Sequence, residues 1–236
     1  AELTKLLENT FRAVNIALVN ELALLSERMA IDFWEVIEAA ETKPFGFMPF
    51  YPGPGVGGHC IPVDPYYLLW KAREYDFYTR FIELAAEVNE AMPYHVVELV
   101  TESLSHAGLA LKGADVLVLG VAFKPDVDDP RNSPAKRVIE LLLRRGAEVS
   151  YHDPYVPRFS VGNDVFHRER LVLESVALTD DALSGADCVV IVTGHRDVDY
   201  GRIVEQAGWI VDTCNATAGV ARDRDEVLRL GAGQGR

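Results

Sequence analysis

What the 236-residue sequence has least of sets the first limits. It carries three cysteines, Cys60, Cys188 and Cys214. They are odd in number and widely spaced, so they form neither a disulfide framework nor a metal cluster. A reducing, cytoplasmic setting and no metal site are expected. No apolar run approaches the roughly 20 residues of a membrane span, and no signal peptide opens the chain. Cations are scarce: 23 Lys and Arg stand against 36 Asp and Glu, for a net charge of −13. That balance argues against nucleic acid or an anionic membrane as partner, although a few local cations can still hold an anionic small molecule. An initiating methionine is missing too. Ala1-Glu2-Leu3-Thr4-Lys5 enters helix almost at once, and a fragment lacking its upstream part is expected. Composition is otherwise that of a soluble globular protein, 49% hydrophobic and 25% charged, long enough for one large or two modest domains.

The first 105 or so residues read as mostly helical. Leu3, Leu7, Phe11, Val14, Leu18, Leu22, Leu25 and Met29 recur at spacings of four and three, one continuous apolar seam on a helix from 2 to about 30. Such a seam suits the spine of a helical region or a subunit contact. Lys5 and Asn9 share a face roughly opposite it, with Arg12 and Asn20 nearby, and taken alone that face reads as solvation. Asp32 caps a second helix through about Ala40. Tyr66 to Glu74 is helical again, as is the stretch from about Thr79 to Ser105, which Pro93 is expected to kink or divide.

The pattern changes at Gly108. Asp115–Gly120 is a short apolar run ending in glycine, as in a buried parallel strand. A helix follows from Pro134 to Gly146, then strands at 148–151, 186–192 and 209–212, with a helix at about 199–207 before the last. Strands alternating with helices indicate a doubly wound, mostly parallel α/β domain. Residues 155–180 show no clear pattern. The charged tail after about 222 is expected to fray. Lys124 and Arg131 lie beyond the end of the first strand, where an anion such as a phosphate would be held, unless they are simply exposed loop charges.

Between the second and third helices runs Phe50-Tyr51-Pro52-Gly53-Pro54-Gly55-Val56-Gly57-Gly58-His59-Cys60-Ile61-Pro62-Val63-Asp64-Pro65. Prolines at 52, 54, 62 and 65 exclude regular helix and central strand. Gly53–Gly58 matches G-x-G-x-x-G, yet no strand precedes it and no helix N-terminus follows at once, so a dinucleotide fingerprint is rejected. What remains is flexible backbone delivering a thiol, with His59 before it and Asp64 four residues after. Cys188, inside its strand, reads as a small hydrophobe. Cys60, among polar groups, reads as a candidate nucleophile.

Gly57–Pro65, with Lys5 and Asn9 upstream and Leu119–Lys124 downstream, resembles the nucleotide-sugar 6-dehydrogenases, the UDP-glucose/GDP-mannose dehydrogenase superfamily. The likeness runs over essentially the whole chain in the right order. It implies an α/β protein in two parts. Residues 1–107 would be a central all-helical dimerisation domain with the cysteine loop. Residues 108–236 would be a doubly wound, mostly parallel, Rossmann-like UDP-binding domain, the family's N-terminal NAD domain being absent. It further implies a two-step oxidation of a sugar C6 alcohol to a carboxylate with two NAD. Cys60 would be the nucleophile of a thiohemiacetal and thioester, Lys5 and Asn9 would hold the C6 oxygen, and Asp64 would assist the hydrolytic water. Phe50, Tyr51 and Gly57 match the sugar-nucleotide cradle, Phe123 and Lys124 match contacts to UDP, and Arg131 matches a residue reaching toward NAD. A homodimer through the long first helix follows in the same way.

Three departures refine the resemblance. Val63 stands where the UDP-glucose branch has lysine, His59 is absent from that branch, and Cys214 replaces a common arginine. The run Lys43–Pro52 with His-Cys-Ile-Pro-Val-Asp looks more like the UDP-N-acetylhexosamine branch, UDP-N-acetylglucosamine 6-dehydrogenases in particular. UDP-glucose and UDP-N-acetylmannosamine remain alternatives, as do a non-catalytic UDP-sugar module and a thiol hydrolase using Cys60 and His59. The fragment alone is expected to bind a UDP-sugar weakly at best and to oxidise nothing.

Overall fold

A computed structural model describes residues 2–163, 168–221 and 224–233. The opening helix α1 spans Glu2–Arg28. Its apolar seam does not face the chain's own core: Leu3, Leu7, Phe11, Leu18, Leu22 and Leu25 are exposed. The buried side is the other one, built from Asn9, Ala13, Ala17, Asn20 and Ala23. These small side chains let α1 lie close against α4, Arg80–His106. Between them come α2 (Phe33–Glu41), capped by Asp32 accepting from the Trp34 N–H at 2.9 Å, and α3 (Asp64–Arg73). Helix α3 starts two residues before the expected Tyr66, because Pro65 at a first-turn position gives up no hydrogen bond that the helix needs.

Of the two expected outcomes at Pro93, division does not occur: α4 runs unbroken through it. The carbonyl that a proline at 93 leaves without its helical donor is that of Asn89, and it faces the cysteine loop, 3.3 Å from where a Cβ on Gly55 would sit. The Asn89 side chain extends the same contact. Its Nδ2 donates to the Ala13 carbonyl at 3.1 Å, and its Oδ1 accepts from Asn20 Nδ2 at 3.0 Å. Asn20 Oδ1 in turn accepts the Gly53 N–H at 2.9 Å. Two buried amides thus tie the loop to α1 and α4 with every polar group paired.

The second half is a five-stranded, all-parallel sheet in the order β2-β1-β5-β6-β7. Its strands are β1 Asp115–Leu119, β2 Glu148–His152, β5 Cys188–Ile191, β6 Ile210–Asp212 and β7 Val227–Arg229. Val116, Val118 and Val190 pack toward α4 and α5 (Pro134–Arg144). Leu117, Leu119, Val189 and Ile191 pack toward α6 (Asp180–Gly185) and α7 (Tyr200–Gln206). That period-2 alternation covers both faces with helices, as a parallel sheet requires. Val96, Val97, Val100 and Leu104 of α4 belong to the same fully buried cluster, so the core runs on across the step at residue 107.

Two stretches differ from the sequence reading. Within the unpatterned 155–180, β3 (Arg158–Val161) and β4 (Leu171–Glu174) pair antiparallel in a surface ribbon. One side of such a ribbon is wet, which thins its hydrophobic signal, and residues 164–167 lie outside those described. The tail does not fray where it is described. Beyond residues 222 and 223, which are outside the description, β7 becomes the fifth strand, with Leu228 and Leu230 fully buried. Leu230–Gly233 then clasps the α1–α2 corner: Phe33 N donates to Gly231 O at 2.8 Å, Gly233 N to Ile31 O at 3.0 Å, and Trp34 Nε1 to Leu230 O at 2.8 Å.

Candidate functional site

The cysteine loop reaches α3 through a tight turn. The N–H groups of Val63 and Asp64 both donate to the Cys60 carbonyl, at 3.2 and 2.8 Å. This winds the chain so that the thiol precedes Asp64 by one turn at a helix N-terminus, where exposed amides favour negative charge. Asp64 is buried, and two residues of α1 converge on one of its oxygens. Asn9 Nδ2 donates to Oδ2 at 2.6 Å and Lys5 Nζ stands 3.0 Å from the same atom. The Asn9 amide is oriented from behind, because Arg12 donates to its Oδ1. The Asp64 carboxylate, and after it the Cys60 sulfur, raise the Lys5 pKa above its ordinary value and keep the ammonium charged. Lys5, Asn9, Asp64 and Cys60 therefore form one cluster, although the first pair lies about 55 residues from the second.

Glycine lets this loop dock on the sheet domain. A Cβ on Gly57 would come within 2.9 Å of Phe123 Cβ, and one on Gly58, at φ +91°, within 3.0 Å of the Phe123 ring. Gly58 also donates to the Arg131 carbonyl at 3.3 Å and accepts from Asn132 Nδ2 at 3.1 Å. Lys124 holds its ammonium 5.4 Å from the Phe123 ring centre. Phe123 and Lys124 follow β1 directly, and the strand order places β2 on one side of β1 and β5 on the other. They thus stand at the point where the winding of the sheet reverses, the usual ligand crevice of such sheets.

The remaining sequence-derived residues make contacts of their own. The Arg131 guanidinium at the loop rim is bidentate on Asp129, with Nε–Oδ1 at 2.9 Å and Nη2–Oδ2 at 2.7 Å. Those hydrogen bonds hold the Asp129 carboxyl at about 2. Phe50 meets Phe11 of α1 edge-on, and Tyr51 turns to stack on Trp34 and donate to Glu41. The other two cysteines are packing groups. Burial pushes Cys188 up to about 12 and Cys214 well above its ordinary value, the latter wedged between Gly194 and Asp212, so neither serves as an anion contact.

The sequence reading missed a buried cluster behind the crevice. Asp153 just past β2 accepts the N–H groups of Val121 and Ala122 at 2.7 and 3.0 Å through Oδ2, and those of Tyr155 and Val156 through Oδ1. His195 just past β5 joins it at 3.1 Å. Burial alone would raise the Asp153 pKa. The hydrogen bonds from His195 and from these amides outweigh it and hold the carboxyl at about 2, so Asp153 is an anion at neutral pH. The only sequence sign was that both residues lie just past strand ends.

Known proteins resemble the chain in sequence and fold. The central domain of the UDP-glucose/GDP-mannose dehydrogenase family matches residues 1–91, and the UDP binding domain of that family matches residues 117–219. A UDP-N-acetyl-D-mannosamine dehydrogenase of Pyrococcus horikoshii is 42% identical over 84% of this chain and 42% of its own length. A UDP-N-acetyl-D-glucosamine 6-dehydrogenase of Salmonella typhi is 36% identical over 83% and 44% respectively. The solved structure of the UDP-D-ManNAc dehydrogenase from Pyrococcus horikoshii superposes with a TM-score of 0.82 over 99% of this chain and 52% of that one. The chain thus spans less than half the length of these two relatives.

Proposed function

We propose, for a chain that belongs to the UDP-glucose/GDP-mannose dehydrogenase family and carries its central and UDP-binding domains, the substrate and thiol half of an NAD-dependent UDP-N-acetylhexosamine 6-dehydrogenase. The observation that carries this reading is the convergence of Lys5 and Asn9 on Asp64, one turn from Cys60. A cation and an amide donor beside a thiol are what an addition to an aldehyde needs. The Cys60 sulfur bonds to C6, the carbonyl π-pair moves to oxygen, and the Lys5 ammonium and Asn9 amide take up that charge. Oxidation of this thiohemiacetal gives a thioester. Water then adds to the thioester carbon, Asp64 takes its proton, and the Cys60 sulfur leaves with the C–S electron pair. NAD, when bound, accepts one hydride in each of the two oxidations. Toward it these residues offer the rim guanidinium of Arg131, whose Nη1 is outside the Asp129 bidentate pair. The one G-x-G-x-x-G match, Gly53–Gly58, is irregular backbone six residues before α3, so the hydride acceptor is proposed to bind elsewhere than on this loop.

The UDP end is assigned to Phe123 and Lys124 in the β1–β5 crevice. The sugar is an N-acetylhexosamine in this reading because relatives named for both the mannosamine and glucosamine epimers match. The test is NADH release by the complete enzyme with UDP-N-acetylglucosamine, UDP-N-acetylmannosamine and UDP-glucose side by side. Turnover of one acetamido substrate, about tenfold or more above UDP-glucose in kcat/KM, is expected. Hydrolysis of thioesters without NAD would point instead to a thiol hydrolase.

The exposed seam of α1 is assigned to a second copy of the chain. Six large apolar side chains in one stripe exceed what a monomer leaves in water. Leu18→Glu with Leu22→Glu should turn a dimer into a monomer in light scattering without lowering helix content. An unchanged mass would remove the seam from the interface.

A further inference from the structure

We infer that His195 is a positioning residue for the nucleotide diphosphate, a buried bridge that fixes the Phe123–Lys124 turn from beneath. The inference rests on the reading of that turn as the UDP contact. His195 is 1% exposed and lies between two elements. On one side Asp153 receives its Nε2 at 3.1 Å, and on the other its Nδ1 accepts the Asp126 N–H at 3.0 Å. Because Nδ1 accepts, the ring proton sits on Nε2 and points at the Asp153 carboxylate. The imidazole therefore acts as a spacer of fixed length and polarity, donor at one end and acceptor at the other.

What it spaces is the turn. The base, Val121 and Ala122, is held by the same Asp153 oxygen, and Thr193 Oγ1 donates to the Ala122 carbonyl at 2.7 Å. The tip, Asp126, has φ +59°, a left-handed conformation that a non-glycine residue keeps only when its surroundings hold it. Two holds are present. His195 takes the Asp126 N–H. Arg196, the next residue, binds the Asp126 carboxylate through its backbone N at 2.9 Å and Nε at 2.5 Å. Only Phe123, Lys124 and Pro125 lie between base and tip, and among the described residues the Lys124 ammonium meets the Phe123 ring but no hydrogen-bond or ion-pair partner. The buried bridge thus positions the two side chains that face a ligand without reaching one itself, the arrangement expected of preorganisation.

The experiment is calorimetric titration of UDP into this chain, with a melting curve for each variant. His195→Gln keeps one donor and one acceptor and should bind UDP within about threefold of the parent. His195→Phe keeps the volume, strands the Asp126 N–H, and should weaken UDP by about tenfold or more. In the complete enzyme the same substitution should raise KM for the UDP-sugar more than it lowers kcat. An unchanged UDP affinity in His195→Phe, whatever its melting temperature, overturns the inference. Should that variant not fold, the smaller His195→Leu, which equally lacks an acceptor for the Asp126 N–H, takes its place, and an unchanged UDP affinity there overturns the inference. A parent chain that binds no UDP is a different result, and it removes the nucleotide reading of the turn itself.

Discussion

Replacing Cys60 by alanine is expected to reduce NADH release by the complete enzyme by at least about a thousandfold, while UDP-sugar binding stays within about twofold. The two halves of that result follow from where the thiol sits. Its removal leaves the α3 turn intact, because the turn is made by the Cys60 carbonyl rather than the side chain, with Val63 N at 3.2 Å and Asp64 N at 2.8 Å. The Lys5–Asp64 and Asn9–Asp64 contacts do not pass through sulfur either. The docking of Gly57 and Gly58 on Phe123 is likewise unaffected. Binding is therefore spared and only the covalent step is lost. Cys60→Ser is the sharper variant: a hydroxyl can add to an aldehyde but yields an ester, so a single-turnover experiment should show the first oxidation and stall before the acid. Full conversion to the uronic acid by Cys60→Ala would show that no thioester lies on the path.

Gly120→Ala should be the most damaging conservative change in the sheet domain, costing about 4 kcal/mol or more and lowering the melting temperature by roughly 10 °C. Gly120 lies at φ +81° where β1 runs into the crevice, and a Cβ there would fall 2.4 Å from the Thr193 carbonyl oxygen and 2.6 Å from its Cβ. Neither atom can yield cheaply. Thr193 N bonds to Leu119 O at 3.3 Å, and its hydroxyl donates to Ala122. Gly46 supplies the control. It has nearly the same φ, +78°, yet nothing within 4 Å of its would-be Cβ, so Gly46→Ala carries only the conformational cost, about 1 kcal/mol. Comparing the two melting curves separates backbone strain from steric contact. Equal melting temperatures would mean that the strands past Leu119 and Ile191 have room to part.

Most of the fold was legible because its signals are local. The alternating apolar runs of β1, β2 and β5, the Pro134 start of α5 and the Asp32 cap all declare themselves within a few residues. Other features stayed hidden or open where the deciding contact is remote. The α1 seam has a clear helical period, but period cannot choose between a helical spine and a subunit contact, and alanines of the opposite face meet the chain's own core. β7 is only three residues long and follows charged Arg224–Glu226, so nothing local announces it. Pro93 stays inside an undivided α4, with the Asn89 carbonyl it leaves without a helical donor facing the cysteine loop at Gly55. The site divides in the same way. Cys60 and Asp64 were readable from the loop they share, whereas the meeting of Lys5 and Asn9 with them needed family likeness. The Asp153–His195 bridge left no periodic trace at all.

The clasp of Leu230–Gly233 on the α1–α2 corner bears on how the chain acquires its shape. Phe33 and Gly231 are nearly two hundred residues apart, yet their backbones are bonded at 2.8 Å. Synthesis in the N-to-C direction makes α1 and α2 well before the clasp, so the Trp34 indole N–H waits for the Leu230 carbonyl, 196 residues later. Until Leu230 emerges, the open edge of β6 and the α2 corner both stay uncovered. Closing so long a loop is a slow, high-contact-order step, and it couples the helical part of this chain to the sheet part.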